Sequence, residues 1–96
     1  MMFLHVVAAE YLKEYKIKVT FNDDRTGIID LQDALKGKVF SPLLDVNVFS
    51  QFVLDKELDT LVWPNGADFA PEFLYFKAFN HIAELQPQFT AWGYVA

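Results

Sequence analysis

Between residues 15 and 22, apolar and polar side chains change places at every step. Tyr15, Ile17, Val19 and Phe21 alternate with Lys16, Lys18, Thr20 and Asn22. A period of two sends one set to a core and the other to solvent, so this segment predicts a half-buried β-strand. Asn22-Asp23-Asp24-Arg25 supplies turn chemistry, and Gly27 to Leu31 reads as the returning strand. On the other side, Phe3 to Tyr11 is apolar on both alternations, the pattern of a strand covered on both faces. Together the three predict an antiparallel meander.

The next segments are shorter. Leu31 to Leu35 predicts a short helix closed by Gly37, and Phe40-Ser41-Pro42-Leu43-Leu44 a hydrophobic connection lying on the core. Asp45 to Phe49 fits one helical turn. Phe52 to Asp55 and Thr60 to Pro64 predict a second hairpin around Lys56-Glu57-Leu58-Asp59, with Pro64 at a strand end or sheet edge. Pro71 suits a first helical position and Glu72 a first turn. From there Lys77, Asn80, His81 and Glu84 share one face, while Leu74, Tyr75, Ala78, Phe79, Ile82 and Leu85 share the other. Pro87 is expected to end this helix, leaving an uncharged aromatic tail of Phe89, Trp92, Tyr94 and Val95. The expected class is therefore α+β: an antiparallel sheet (a three-stranded meander plus a hairpin), short helices and a C-terminal amphipathic helix. Ninety-six residues make it one domain, 1–96.

Hydrophobic residues make up 53% of the chain and aromatics 17%, with ten Phe. That is more large apolar side chain than a core this small requires. The surplus is expected to face a protein partner or a second copy, through Phe76, Phe79, Phe89, Trp92 and Tyr94. A net charge of −5 repels phosphate backbones, so direct nucleic-acid contact is not expected. Without cysteine there is neither a disulfide framework nor a thiolate metal site, which fits a reducing compartment. The N-terminal apolar run lacks the length and basic flank of a signal peptide, and no stretch approaches a membrane span; the expected location is the cytoplasm.

Catalytic chemistry finds no foothold. Ser41 and Ser50 lie in no nucleophile elbow, and no glycine-rich phosphate loop or other cofactor motif occurs. Asp23, Asp24, Asp30 and Asp33 lack calcium-loop spacing, and His5 and His81 have no zinc-type partners. No enzyme is expected. The most distinctive string is Trp63-Pro64-Asn65-Gly66-Ala67-Asp68. Structurally, Asn65-Gly66 is a tight turn with positive φ, Asp68 a cap before the helix, and Trp63 a lid on the core. Functionally, Trp63, Asn65 and Asp68 are candidates for a ligand site. The structural reading weighs more, and both stay open.

Several strings resemble a bacterial family known as domain of unknown function 2442. They are Phe21-Asn22-Asp23-Asp24, Ile29-Asp30-Leu31, Gly37-Lys38-Val39-Phe40-Ser41-Pro42-Leu43, and above all Val62-Trp63-Pro64-Asn65-Gly66-Ala67-Asp68 followed by Pro71-Glu72 and Leu74-Tyr75. The likeness runs from about His5 to Phe76, leaving 77–96 as a C-terminal helix and tail. It implies a small fold of antiparallel strands and short helices and no established activity. Some relatives look like modules fused to helix-turn-helix domains; others are encoded beside a second small protein, in a suggested toxin–antitoxin pairing. This chain departs from the family in Asp24-Arg25, where Asp-Gly is common, and in a tail that is no recognisable helix-turn-helix. The function expected from all this is a protein-interaction module, a homodimer or half of a two-protein pair. The alternatives are a transcriptional accessory domain, or a ligand binder or enzyme built on the Trp63–Asp68 segment.

Overall fold

The structure is a computed structural model and describes residues 3–95. Its first layer is the predicted meander, β1 (Val6–Lys13), β2 (Lys16–Phe21) and β3 (Thr26–Asp30), antiparallel in the order β1-β2-β3. The alternation of β2 works as read: Ile17, Val19 and Phe21 are fully buried, and Lys16, Lys18 and Thr20 take the opposite face. Ile29 and Leu31 continue the buried face beyond β2. In register, Glu10, Lys18 and Ile28 form one row across the outer face, and Tyr11, Ile17 and Ile29 form one on the inner face.

β1 is not covered on both sides. Val6 is buried, but Val7, Ala8, Glu10 and Leu12 are exposed, and irregularities interrupt the pairing at both ends of the strand. Apolar identity misleads here because nothing among the described residues covers Val7, Ala8 and Leu12 on the outer face.

The predicted Leu31–Leu35 helix shrinks to one 3-10 turn at Gln32–Ala34, and Gly37, at φ +87°, opens the next helix instead of closing this one. That helix, α1 (Gly37–Phe40), runs into a 3-10 turn at Ser41–Leu44. α2 (Val46–Phe49) follows, capped by Asp45, whose Oδ1 accepts from the Asn47 amide at 2.9 Å. The second hairpin, β4 (Val53–Asp55) and β5 (Thr60–Val62), is present and shorter than predicted. It is tied to the meander where the Val6 amide donates to the Asp59 carbonyl at 3.0 Å.

The C-terminal helix is split. α3 (Pro71–Phe79) ends six residues before the last apolar position, Leu85, the chain turns at Asn80–His81, and α4 (Gln86–Trp92) begins with Pro87 in its first turn. Proline lacks an amide hydrogen, which suits a helix start as well as a stop. Gln86 Nε2 donates to the carbonyls of Asn80 and Ile82, both at 2.9 Å, and so satisfies the end of α3. Gly93, at φ +87°, closes α4.

The core lies between the meander's inner face and the helices, and includes Phe21, Leu43, Phe49, Leu61, Trp63, Leu74 and Phe89. α3 packs on β3 at Gly27, where a Cβ would stand 2.8 Å from Phe79 Cε1. No helix among the described residues is long and apolar enough to cross a membrane.

Candidate functional site

The Trp63–Asp68 loop turns its distinctive groups inward. Trp63 is 2% exposed, and its indole Nε1 donates to the Phe49 carbonyl at 2.7 Å. Its ring lies among Phe49, Phe52 and Phe69 at centroid distances of 5.6–5.9 Å. Asn65 Oδ1 accepts from the Ala67 amide at 3.0 Å while Nδ2 donates to the Val39 carbonyl at 2.9 Å, fastening the loop to α1. Gly66 holds φ +86° at the turn, and Pro64 is exposed. Asp68 differs from expectation. The N-cap of α3 is Ala70 with no side-chain cap bond, and Asp68 is exposed and bridges Val62 through its backbone. The arrangement staples a strand end to a helix.

The C-terminal aromatics also turn inward. Phe79 and Phe89 are buried, at 6% and 0% exposure, so neither is left over at the surface as the sequence suggests. Phe76, Trp92 and Tyr94 are half-buried. Tyr94 stacks on Phe76 at 5.0 Å, and its amide donates to the Phe89 carbonyl at 3.0 Å. Trp92 meets Tyr75 edge-on at 6.0 Å. The cause is the chain reversal at Asn80–His81, which folds α4 back over α3. Burial and the bond from its hydroxyl to Asp23 Oδ2 (2.7 Å) push the Tyr75 phenol up to about 12. Burial, with the Glu72 charge nearby, raises Tyr94. Asp33, exposed, is held below the usual carboxylate range by its 2.7 Å bond from Lys77 Nζ. Among the described residues no three His, Asp or Glu side chains cluster to hold a metal.

The outer edge of β3 is open. The Phe21 amide donates to the Arg25 carbonyl and the Leu31 amide to the Tyr15 carbonyl. With the register Ile17–Ile29 and Val19–Gly27, the odd-numbered residues of β3 are therefore the ones bonded to β2. Thr26, Ile28 and Asp30 point their amides and carbonyls away, and among the described residues none of these six groups has a partner. Ile28, at the centre, is 59% exposed. Alongside lies a groove of about 680 Å³ whose walls include Leu12, Ile28, Phe79 and Ile82. The edge of β1 is engaged at Val6 by Asp59, while its outward Ala9 and Tyr11 also lack backbone partners among the described residues, without an exposed isoleucine at their centre. Ile28 escapes the sequence reading, which noted the strand but not its phase. The signal was available: in register with Lys18, Ile28 falls on the outer face, and the last strand of a meander is an edge.

An antiparallel meander under short helices, followed by a two-stranded hairpin, defines a small α+β domain. The chain belongs to the family described as protein of unknown function DUF2442, whose model matches residues 6–80. The fold is shared with the crystal structure of putative DNA binding protein NE0471 from Nitrosomonas europaea, at a TM-score of 0.75 and 19% identity. The match covers 98% of this chain and 63% of that one, so this chain spans less than two thirds of its neighbour's length. No curated protein matches the chain.

Proposed function

We propose that this chain is a non-catalytic contact module that engages protein through the outer edge of β3, as one half of a small assembly. The observation that supports this reading is the edge itself, three residues of unpaired backbone around an exposed Ile28 and beside an apolar groove. Unpaired strand edges accept a further strand readily, with backbone bonds giving affinity and alternate side chains giving selectivity. The test uses the full chain, tagged and purified from its native cell, as wild type and as Ile28→Lys. Partners held by the edge are recovered with the first and lost with the second. An identical set of companions with both baits would refute the reading.

A second reading, an accessory role at DNA, is favoured by the name carried by the structural neighbour. The net charge of −5 opposes it. A mobility shift of duplex DNA at low salt that disappears as salt rises would establish it.

A further inference from the structure

We infer that the strand completing the β3 edge is β3 of a second copy of this chain, paired antiparallel about a two-fold axis at Ile28. The inference rests on the contact-edge reading above and names its occupant. Three consecutive outward residues, Thr26, Ile28 and Asp30, carry unmet groups, so the run has a centre at Ile28. A two-fold axis there sets Ile28 against Ile28 of the second copy, Thr26 against its Asp30, and Asp30 against its Thr26. All three are then bonded pairs, and all twelve free backbone groups of the two edges are used.

Charge selects the same centre. The one ionisable side chain among the three, Asp30, meets a threonine hydroxyl and not its own kind. It is flanked on β2 by Lys16, its register partner, and Thr26 already shares a 3.0 Å hydroxyl contact with Thr20. In the central row each Lys18 stands between Glu10 and Ile28, so no like charges meet across the join. The other outward centres fail. An axis at Asp30 sets two carboxylates face to face, and an axis at Thr26 runs the strand into the Asp23–Asp24 turn. A centre at Gly27 sets Asp30 opposite Asp24 of the second copy, two like charges, and a centre at Ile29 sets Thr26 opposite Gln32, beyond the end of the strand, so neither uses all twelve groups. The apolar Ile28, out of place on a polar sheet face, then lies covered by its twin.

Sedimentation equilibrium from micromolar to millimolar concentration tests this on the full chain. The wild type is expected to dimerise. Ile28→Lys and Ile28→Glu, each placing like charges across the axis, are expected to be monomers, and mixing them is expected to restore a dimer. Amide exchange in the wild type provides a readout free of substitution. Protection of Thr26, Ile28 and Asp30 is expected to fall on dilution, while Gly27 and Ile29 stay protected. A wild-type monomer throughout, or a dimer that persists in both variants, overturns the inference. If the wild type is monomeric yet Ile28→Lys loses a foreign companion, self-pairing is wrong and the contact-edge reading stands.

Discussion

The Trp63–Asp68 loop and strand β3 divide the work of the molecule in opposite ways. The loop holds the most distinctive string of the chain and directs its indole and its amide at the protein's own backbone: indole to Phe49, amide to Val39 and Ala67. β3 is made of threonine, glycine, isoleucine and aspartate, and directs the backbone of three of its five residues outward. A conspicuous string thus does the holding, while capacity for contact arises from where an ordinary strand sits in the topology. Distinctive side chains are expensive to place and are used where the backbone needs them. An unpaired edge needs no special residue at all.

Substitutions separate the two regions by size of effect. Trp63→Ala removes a fully enclosed ring and its bond to Phe49, and is expected to cost about 3–5 kcal/mol, seen as loss of a cooperative thermal transition at moderate temperature. Persistence of a wild-type melting curve would mean that the loop is not structural. Gly27→Ala acts on the inner side of β3, forcing a methyl against Phe79 and Ala78. It is expected to cost about 1–3 kcal/mol by denaturant unfolding, because both neighbours are themselves enclosed. A neutral result would show that α3 slides freely on the strand.

Tyr75 ties the meander's turn to α3, and Tyr75→Phe is expected to cost about 1–2 kcal/mol at neutral pH through the lost bond to Asp23. The wild type carries a further signature in alkali. The phenol's pKa rises from its ordinary 10.0 to about 12 on folding. The folded state therefore holds that proton more tightly, and the stability so gained is complete below pH 10 and disappears as pH climbs to 12. Melting temperature is expected to drop over that interval in the wild type and to drop less in Tyr75→Phe; parallel curves would remove Tyr75 as the cause. The smallest effect belongs to the outer side of β3. Ile28→Lys is expected to change monomer stability by no more than about 0.5 kcal/mol, since the side chain packs on little within the chain. A large loss would make Ile28 a folding residue and blunt the contrast.

Much of the fold was legible because periodicity reports burial directly. β2 shows its inward and outward sets in eight letters, and the turn residues Asp23 and Asp24 locate its end. β1 was misread because a pattern of two records hydrophobicity, and an edge strand with an open face is free to carry Val7 and Leu12 outside. The split of the last helix was hidden by Pro87, whose missing hydrogen marks a terminus without saying which. The aromatic tail was misjudged for the same reason. Counting its rings says how much there is to bury, but only the reversal after Phe79 decides where. The candidate edge was invisible residue by residue, since the orientation of Ile28 follows from its pairing with Lys18 across the sheet.

The fold-back of α4 has a consequence for where this family's unit of folding ends. The shared sequence pattern stops at residue 80, yet Phe89 is completely enclosed and Tyr94 closes over Phe76. A piece cut at the family boundary would keep every recognisable motif and lose the clasp over α3, leaving Phe76 and Tyr75 wet. Recognition and autonomy thus have different lengths in this protein, and residues 81–95 belong to the second.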